Sequence, residues 1–126
     1  MRDTIKKHSD FHMTDTDPSA RSEFFVVRAH PTRFPGDARV GFMATKRTFK
    51  LAVERNRAKR LMREWARFHQ DLMVPEFDYV FIARQPILMA TRDHGRDAMR
   101  RELGHILKKY APKTPANLLK IVKNAA

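Results

Sequence analysis

Residues 52–72 read AVERNRAKRLMREWARFHQDL and contain neither glycine nor proline. The stretch predicts a helix from Ala52 to Leu72, which Pro75 brings to an end. When successive side chains are placed 100° apart, the large apolar ones fall within an arc of about 60°. This arc is the expected core face, so the rest of the chain has to supply an apolar surface against it. The face comprises Leu61, Trp65, Phe68 and Leu72, with Ala58 and Met62 on one flank.

The opposite side of this helix is almost purely cationic. The segment from Lys46 to Arg67 holds nine basic and two acidic residues, a local net charge of +7. A helix face that is merely solvated usually mixes charges, because unlike charges at i,i+4 attract and like charges repel. Arg55, Lys59 and Arg63 instead form a like-charge ladder, and contact with phosphates would compensate its cost by releasing counterions. The pattern therefore favours nucleic-acid binding through Arg55, Asn56, Lys59, Arg60, Arg63 and Arg67.

The composition narrows the class of protein. The chain has 126 residues, enough for one domain, and 26 lysines and arginines against 14 acidic residues give a net charge of +12. Self-repulsion on this scale favours a polyanionic partner and disfavours a free-standing small-molecule enzyme. The absence of cysteine excludes disulfides, thiolate metal sites and cysteine nucleophiles. Because the chain shows no signal sequence and no apolar run near the roughly 20 residues of a membrane helix, we expect a cytoplasmic protein.

Three strands and a second helix complete the expected core. Phe24–Ala29 and Arg39–Thr45 are expected to pair as an antiparallel hairpin, and Tyr79–Ala83, apolar throughout, to be buried on both faces. The second helix is expected over Arg96–Tyr110, after a turn at residues 93–95. This order predicts an α+β fold, a small two-layer sandwich with helices packed on one sheet. The expected segments are a polar lead-in with a short helix (1–20), one domain (21–111) and a tail with a short helix (112–126).

No set of residues predicts catalysis by the protein itself. The aspartates of the lead-in are expected to be caps, turn residues and solvated acids, and the six histidines show no metal-ligand spacing.

Phe24, Phe25 and Phe42 are expected to divide between the core and an RNA-stacking face. Glu64 is expected to orient Arg60, one helical turn away, through an i,i+4 ion pair.

The chain reads GFMATKR over 41–47 and AVERNRAKRLMRE over 52–64, with Arg-Asn-Arg at 55–57 followed by Lys-Arg and Arg-Glu. At this spacing the residues closely resemble the bacterial ribonuclease P protein family. Asp78–Arg84 is similar to the family's following strand and Arg96–Tyr110 to its last helix, so the resemblance covers roughly residues 22–110. It implies an element order of about αβββαβα, a mostly antiparallel sheet and a left-handed βαβ crossover, against the usual right-handed rule.

The resemblance also implies a function. In that family the catalytic component is a large RNA, which uses Mg²⁺ to hydrolyse one phosphodiester and release the 5′ leader of precursor tRNA. The protein would neutralise charge and grip the leader, so no catalytic residue, metal site or protein partner is expected for this chain. The residues implied to face the ribonuclease P RNA are Arg55, Asn56, Arg57, Lys59, Arg60 and Arg63, with Arg67 on the same basic face.

A cleft for the single-stranded leader is implied on the sheet and the first helix. Phe11 matches the family's first-helix aromatic residue, which is suited to stacking on an unpaired base, and Lys46 matches its cleft lysine. The chain departs from the family at Asp15, where an aromatic or apolar residue is usual, and at Arg28, where an aromatic is often found. The implied cleft residues are Phe11, Val26, Arg28, Lys46 and Arg47.

Three other functions are open at this point. A structural RNA-binding protein of the ribosomal type would share the charge and the fold class, but it would co-sediment with ribosomes and leave tRNA maturation unchanged. A module that places its helix in a DNA groove would prefer duplex DNA, whereas exposed aromatic side chains suit unstacked RNA bases. A self-sufficient nuclease is least favoured, because no cluster of acids, bases or metal ligands supports it.

Overall fold

The structure, a computed structural model, describes residues 1–3, 18–31 and 36–110. The helices predicted in the lead-in and in the tail lie outside these residues. None of the helices in these ranges has both the length and the hydropathy of a membrane span. Two short 3₁₀ helices cover Gln70–Leu72 and Gln85–Met89. The main elements are β1 (Arg2–Asp3), β2 (Ser19–Arg21), β3 (Phe25–Pro31), β4 (Arg39–Met43), α1 (Ala52–Phe68), β5 (Phe77–Ala83) and α2 (Arg92–Tyr110).

The strands form one mixed sheet in the order β1-β4-β5-β3-β2. β5 pairs in parallel with β4 and antiparallel with β3, so the predicted hairpin between β3 and β4 is wrong. The physical reason is the apolar character of β5, which favours a central position where both of its faces are covered. Tyr79, Val80 and Phe81 are indeed all buried, which confirms the prediction for this strand. The α+β class is confirmed as well, with helices packed on the sheet.

The segment β4–α1–β5 is a βαβ unit, because α1 connects two strands that are adjacent and parallel in the sheet. The left-handed sense of this crossover stays a prediction of the resemblance. The unit fixes the start of α1 beside the end of β4, which places the loop after β4 next to the basic helix.

The helices cover the sheet face that carries Phe25, Val27 and Phe81. Phe24 and Phe42 also belong to this core, so none of the three strand phenylalanines lies on the opposite face as a stacking residue. Phe42 stacks on Phe81 with 5.3 Å between ring centroids. The opposite face carries aliphatic and polar side chains on β3 instead, among them Val26 and Arg28.

The core face of α1 is rotated relative to the prediction. Its buried residues are Ala58, Met62, Trp65 and Ala66, whereas Phe68 is 56% exposed. The small side chains of Ala58 and Ala66 let the helix pack closely on the sheet along this line, and the helix ends at Phe68, four residues earlier than expected. The assignment of Phe68 to the core is therefore wrong.

The turn predicted at residues 93–95 is also wrong, because α2 already begins at Arg92. The Thr91 hydroxyl accepts a hydrogen bond from the His94 N–H at 3.2 Å, as a helix cap does. Gly95 lies inside this helix. A Cβ atom at this position would come within 2.1 Å of the Trp65 ring, so the close contact requires glycine. The glycine thus marks the close crossing of α1 and α2.

Candidate nucleic-acid interface

The loop between β4 and α1 presents two of the predicted site residues. Thr45 organises this loop: its carbonyl accepts the Phe49 N–H at 2.9 Å and its hydroxyl accepts the Thr48 N–H at 3.2 Å. Lys46 and Arg47 lie on the resulting turn, and both side chains are exposed. The loop therefore holds two cations at a fixed position beside the first turn of α1.

The like-charge ladder on α1 has partners within the protein. The Arg55 guanidinium donates to the carbonyls of Phe49 and Lys50, at 2.9 and 3.0 Å. The Arg63 guanidinium lies over the Phe42 ring, 5.2 Å from its centroid. Both side chains, and that of Lys59, are half-buried. Arg55 and Arg63 thus tether α1 to the loop and the sheet, and for these two members of the ladder the expectation of compensation from outside the protein is wrong.

The exposed cations lie on the loop and along the outer side of α1. We call the set Lys46, Arg47, Lys50, Asn56, Arg57, Arg60 and Arg67 the basic surface; all seven side chains are exposed. In the part of the chain that the structure describes, none of its six cations forms an ion pair. An unneutralised cationic strip of this kind attracts polyanions and binds phosphates through charge-assisted hydrogen bonds.

The predicted ion pair between Glu64 and Arg60 does not form. Glu64 pairs instead with Arg96 of α2. One of its oxygens, Oε1, accepts the Arg96 Nε–H at 3.1 Å and a second hydrogen bond from the same guanidinium. Arg96 reaches Glu64 because the two helices cross closely at Gly95. The pairing leaves Arg60 to the basic surface while Arg96 neutralises the acid next to it.

The sequence assignments missed a groove at the end of α1. Its lining residues enclose about 310 Å³ and are Arg60, Arg63, Glu64, Arg67 and Phe68. The Arg96 guanidinium covers one side of the Phe68 ring at 3.9 Å from the centroid, and the His69 ring meets it edge-on at 4.9 Å. The sequence did contain a signal for this groove. Phe68 has arginines as neighbours along the helix, and such neighbours are unusual for a core residue.

His69 lies in the same positively charged environment. Burial lowers the pKa of His69 below its ordinary value of 6.5, and the nearby charges of Arg100 and Arg96 add to this effect against the opposing charge of Asp71. The imidazole is therefore held in its neutral form more strongly than in an unfolded chain.

The implied leader cleft is only partly visible. Val26 and Arg28 lie on the sheet face opposite the helices and are half-buried, and Phe11 lies outside the described residues. Val26 shares its row of the sheet with Ile82 and Met43, at the end from which the chain turns toward Lys46. The Arg28 Nε–H is buried and has no hydrogen-bond partner among the described residues. The backbone thus brings Val26, Lys46 and Arg47 to one end of the sheet, whereas Arg28 lies nearer its middle, in the row of Val80 and Gly41.

The described residues contain no cluster of three or more histidines, aspartates or glutamates that could hold a metal ion. The buried Asp78 carboxylate is taken up by the Arg39 guanidinium through two hydrogen bonds of 3.0 and 3.4 Å. The buried Glu102 is shared by Arg101 and His105, at 3.3 and 3.1 Å. These acids are thus engaged by basic side chains within the fold.

Fold and site together define a class: a small α+β protein in which one helix and the loop before it form an unneutralised basic surface. A family model described as ribonuclease P matches residues 1–121. The chain therefore belongs to the ribonuclease P protein family, which confirms the resemblance seen in the sequence.

Individual relatives agree with this assignment. The ribonuclease P protein component of Desulforamulus reducens is 34% identical over 104 residues, 82% of this chain and 87% of the relative. That of Marinobacter nauticus is 38% identical over 80 residues, 64% of this chain and 59% of the relative. That of Caulobacter vibrioides is 44% identical over 82 residues, 64% of this chain and 54% of the relative.

Solved structures share the fold. The RNase P protein of Staphylococcus aureus superposes with a TM-score of 0.65 at 29% identity, covering 79% of this chain and 90% of that one. The RNase P protein of Thermotoga maritima superposes with a TM-score of 0.58 at 23% identity, covering 68% of this chain and 80% of that one, a likeness of fold.

Proposed function

We propose that this protein is the protein subunit of a bacterial ribonuclease P, in which a large RNA cleaves the 5′ leader from precursor tRNA. The observation that carries the proposal is the basic surface, whose cations form no ion pairs within the described residues of a chain that belongs to this family. We further propose that the protein acts in the cytoplasm, with these two RNAs as its partners and without another protein.

In this proposal the basic surface docks on the catalytic RNA. Arg57, Arg60 and Arg67 can donate paired N–H groups to phosphates, and each contact releases condensed counterions. Asn56 is exposed among these arginines, where its amide can hydrogen-bond a base edge or a 2′-hydroxyl. Arg55 and Arg63 serve mainly to fix the helix to the loop and to Phe42, because their guanidinium groups contact the protein itself.

The leader is proposed to run past the end of the sheet. Lys46 and Arg47 would contact its phosphates, and Val26 would offer an aliphatic surface to a base. The half-buried Arg28 would add a positive charge to the sheet face that the leader crosses. Phe11 is proposed to stack on a further base.

Mg²⁺ is proposed to be bound by the RNA–protein complex. In phosphodiester hydrolysis such an ion activates the attacking water and stabilises the leaving oxygen. Since the described protein residues offer no cluster of metal ligands, we assign no protein side chain to it. The contribution of the protein is then to hold the two RNAs together and to neutralise their mutual repulsion.

Reconstitution tests the proposal. The protein is added to a bacterial ribonuclease P RNA with precursor tRNA at a low Mg²⁺ concentration where the RNA alone is nearly inactive, and 5′-end cleavage is measured. We expect strong stimulation by the wild type and by Arg92→Ala/Arg100→Ala/Lys108→Ala, which lowers the charge of α2 by three. We expect little stimulation by Arg57→Ala/Arg60→Ala/Arg67→Ala, which lowers the charge of α1 equally.

Folded wild-type protein that gives no stimulation would contradict the proposal. Co-sedimentation with ribosomes and no effect on cleavage would instead support the structural ribosomal-type alternative. Preference for duplex DNA in a competition titration would support the DNA-binding alternative.

A further inference from the structure

Phe68 occupies an unusual position for a large aromatic side chain. It ends α1 with 56% of its surface exposed, although the core of the sandwich lies on the neighbouring face of the same helix. A single exposed apolar residue is common on protein surfaces, so the inference depends on what surrounds this ring.

The ring is held in place by its neighbours. Arg96 covers one side of it at 3.9 Å from the centroid, and the Arg96 guanidinium is itself fixed by two hydrogen bonds to Glu64. His69 meets the ring edge-on at 4.9 Å. Phe68 therefore offers a preorganised apolar surface, and a ligand that stacks on it orders little additional side-chain motion.

The surroundings of the ring identify the charge of the ligand. Arg60, Arg63 and Arg67 line the same groove as Phe68, and Glu64 is its one acidic residue. Because Arg96 engages Glu64 Oε1, the groove is strongly cationic. An apolar protein side chain would gain nothing from three guanidinium groups, whereas an unpaired nucleotide presents a flat base to the ring and phosphates to the arginines.

We propose that Phe68 stacks on the base of an unpaired nucleotide of the bound RNA, while Arg60 and Arg67 contact its flanking phosphates. The inference rests on the proposed function, because the RNA in question is the ribonuclease P RNA docked on the basic surface. Glu64 Oε2 forms no hydrogen bond within the described residues, and it can accept one from an exocyclic amino group. The site therefore favours adenine, cytosine or guanine over uracil.

The first test measures the dissociation constant of the full-length protein for a bacterial ribonuclease P RNA at several salt concentrations. For Phe68→Ala we expect the dissociation constant to rise about tenfold at every salt concentration, with an unchanged salt slope, because stacking releases no counterions. Phe68→Trp should retain wild-type affinity, since indole also stacks. The control is Met89→Ala, which removes an 87% exposed apolar side chain outside the groove and should bind as the wild type does.

The outcomes separate the two proposals. If the wild type does not bind the RNA, the proposed function fails. If the wild type binds and Phe68→Ala, with an unchanged melting temperature, binds equally well, only the stacking site is refuted. If Phe68→Ala is unstable, the Trp variant decides: a folded Phe68→Trp protein with tenfold weaker binding would also refute stacking.

A photocrosslinking experiment then locates the nucleotide. The full-length protein carries benzoylphenylalanine at position 68, or at position 89 as the control, and crosslinks to the bound RNA are mapped by reverse-transcription stops. We expect one strong stop at an unpaired adenosine, cytidine or guanosine for position 68 and none for position 89. A crosslink confined to a base-paired helix, or no crosslink from a bound complex, would overturn the proposal.

Discussion

α1 and α2 contain six lysines and arginines each, yet they use them differently. In α2, Arg92 pairs with Asp93 at 3.9 Å, Arg101 pairs with Glu102 at 3.3 Å, and Arg96 pairs with Glu64 of α1. In α1, Arg57, Arg60 and Arg67 are exposed and form no ion pair among the described residues.

We expect pairing with acids, more than the number of charges, to distinguish the RNA-binding surface from the other basic parts of the molecule. Arg96 even neutralises an acid of the other helix, which makes the exposed side of α1 more cationic. Charges that already have partners gain little from a phosphate, because the new contact replaces an existing one. The binding energy for a polyanion is therefore expected on α1 and its preceding loop.

The largest expected effect comes from removing the exposed arginines of α1. Arg57→Ala/Arg60→Ala/Arg67→Ala should weaken binding to a ribonuclease P RNA on the order of 10²-fold near 0.1 M salt and reduce the salt slope by about 2 to 3. Alanine favours the helix, so the fold should persist. Arg92→Ala/Arg100→Ala/Lys108→Ala removes the same charge from α2, one paired cation and two that form no ion pair within the described residues, and should lower the slope less because α2 lies outside the basic surface. Equal losses from the two triple variants would refute the difference between the helices.

The crossing of the two helices can be tested with a matched pair of glycines. Gly95→Ala would place a Cβ atom 2.1 Å from the Trp65 ring, and we expect the free energy of unfolding to fall by about 3 kcal/mol. Nothing lies within 4 Å of a Cβ at Gly104 in the same helix, so Gly104→Ala should raise it by about 0.5–1 kcal/mol. Chemical denaturation measures both values. Similar changes at the two positions would show that α1 and α2 do not cross closely at Gly95.

A smaller effect is expected from the ion pair that joins the helices. The Glu64 and Arg96 side chains are partly exposed, so water screens their attraction. A double-mutant cycle with Glu64→Gln and Arg96→Gln should give a coupling free energy of about 0.5–1 kcal/mol in chemical denaturation. Strictly additive effects of the two substitutions would contradict a stabilising interaction between Glu64 and Arg96.

Part of this organisation could be predicted from the sequence. The position of α1, its cationic side and the buried character of β5 follow from local composition and spacing, because these features depend on nearby residues. The assignment of Phe68 to the core failed because helical spacing fixes the relative positions of side chains but not which side meets the sheet. The side that meets the sheet carries the buried Ala58 and Ala66, whose small side chains are compatible with close packing.

The other predictions that failed concern contacts between residues that are distant in the chain. Glu64 is paired with Arg96, 32 residues away, through a helix crossing that depends on Gly95. Likewise, β5 lies between β3 and β4 in the sheet, so these two strands, which follow each other in the chain, do not pair. Such contacts are set by how the whole sheet and both helices pack together, which no local pattern contains.

The smallest expected effect is a pH dependence at the junction of the two helices. Burial and the charges of Arg100 and Arg96 outweigh Asp71 and lower the pKa of His69, so the native state binds a proton more weakly than the unfolded state does. Unfolding therefore takes up protons as the pH falls below about 6.5, and the free energy of unfolding should decrease in that direction. His69→Gln should show a flatter decrease between pH 7.5 and 5.5 than the wild type, whereas His94→Gln, at an exposed position of α2, should follow the wild type. If His69→Gln leaves the slope unchanged, the pKa of His69 is not lowered in the native state, and neither its burial nor the charges of α2 act on the end of α1 as the geometry indicates.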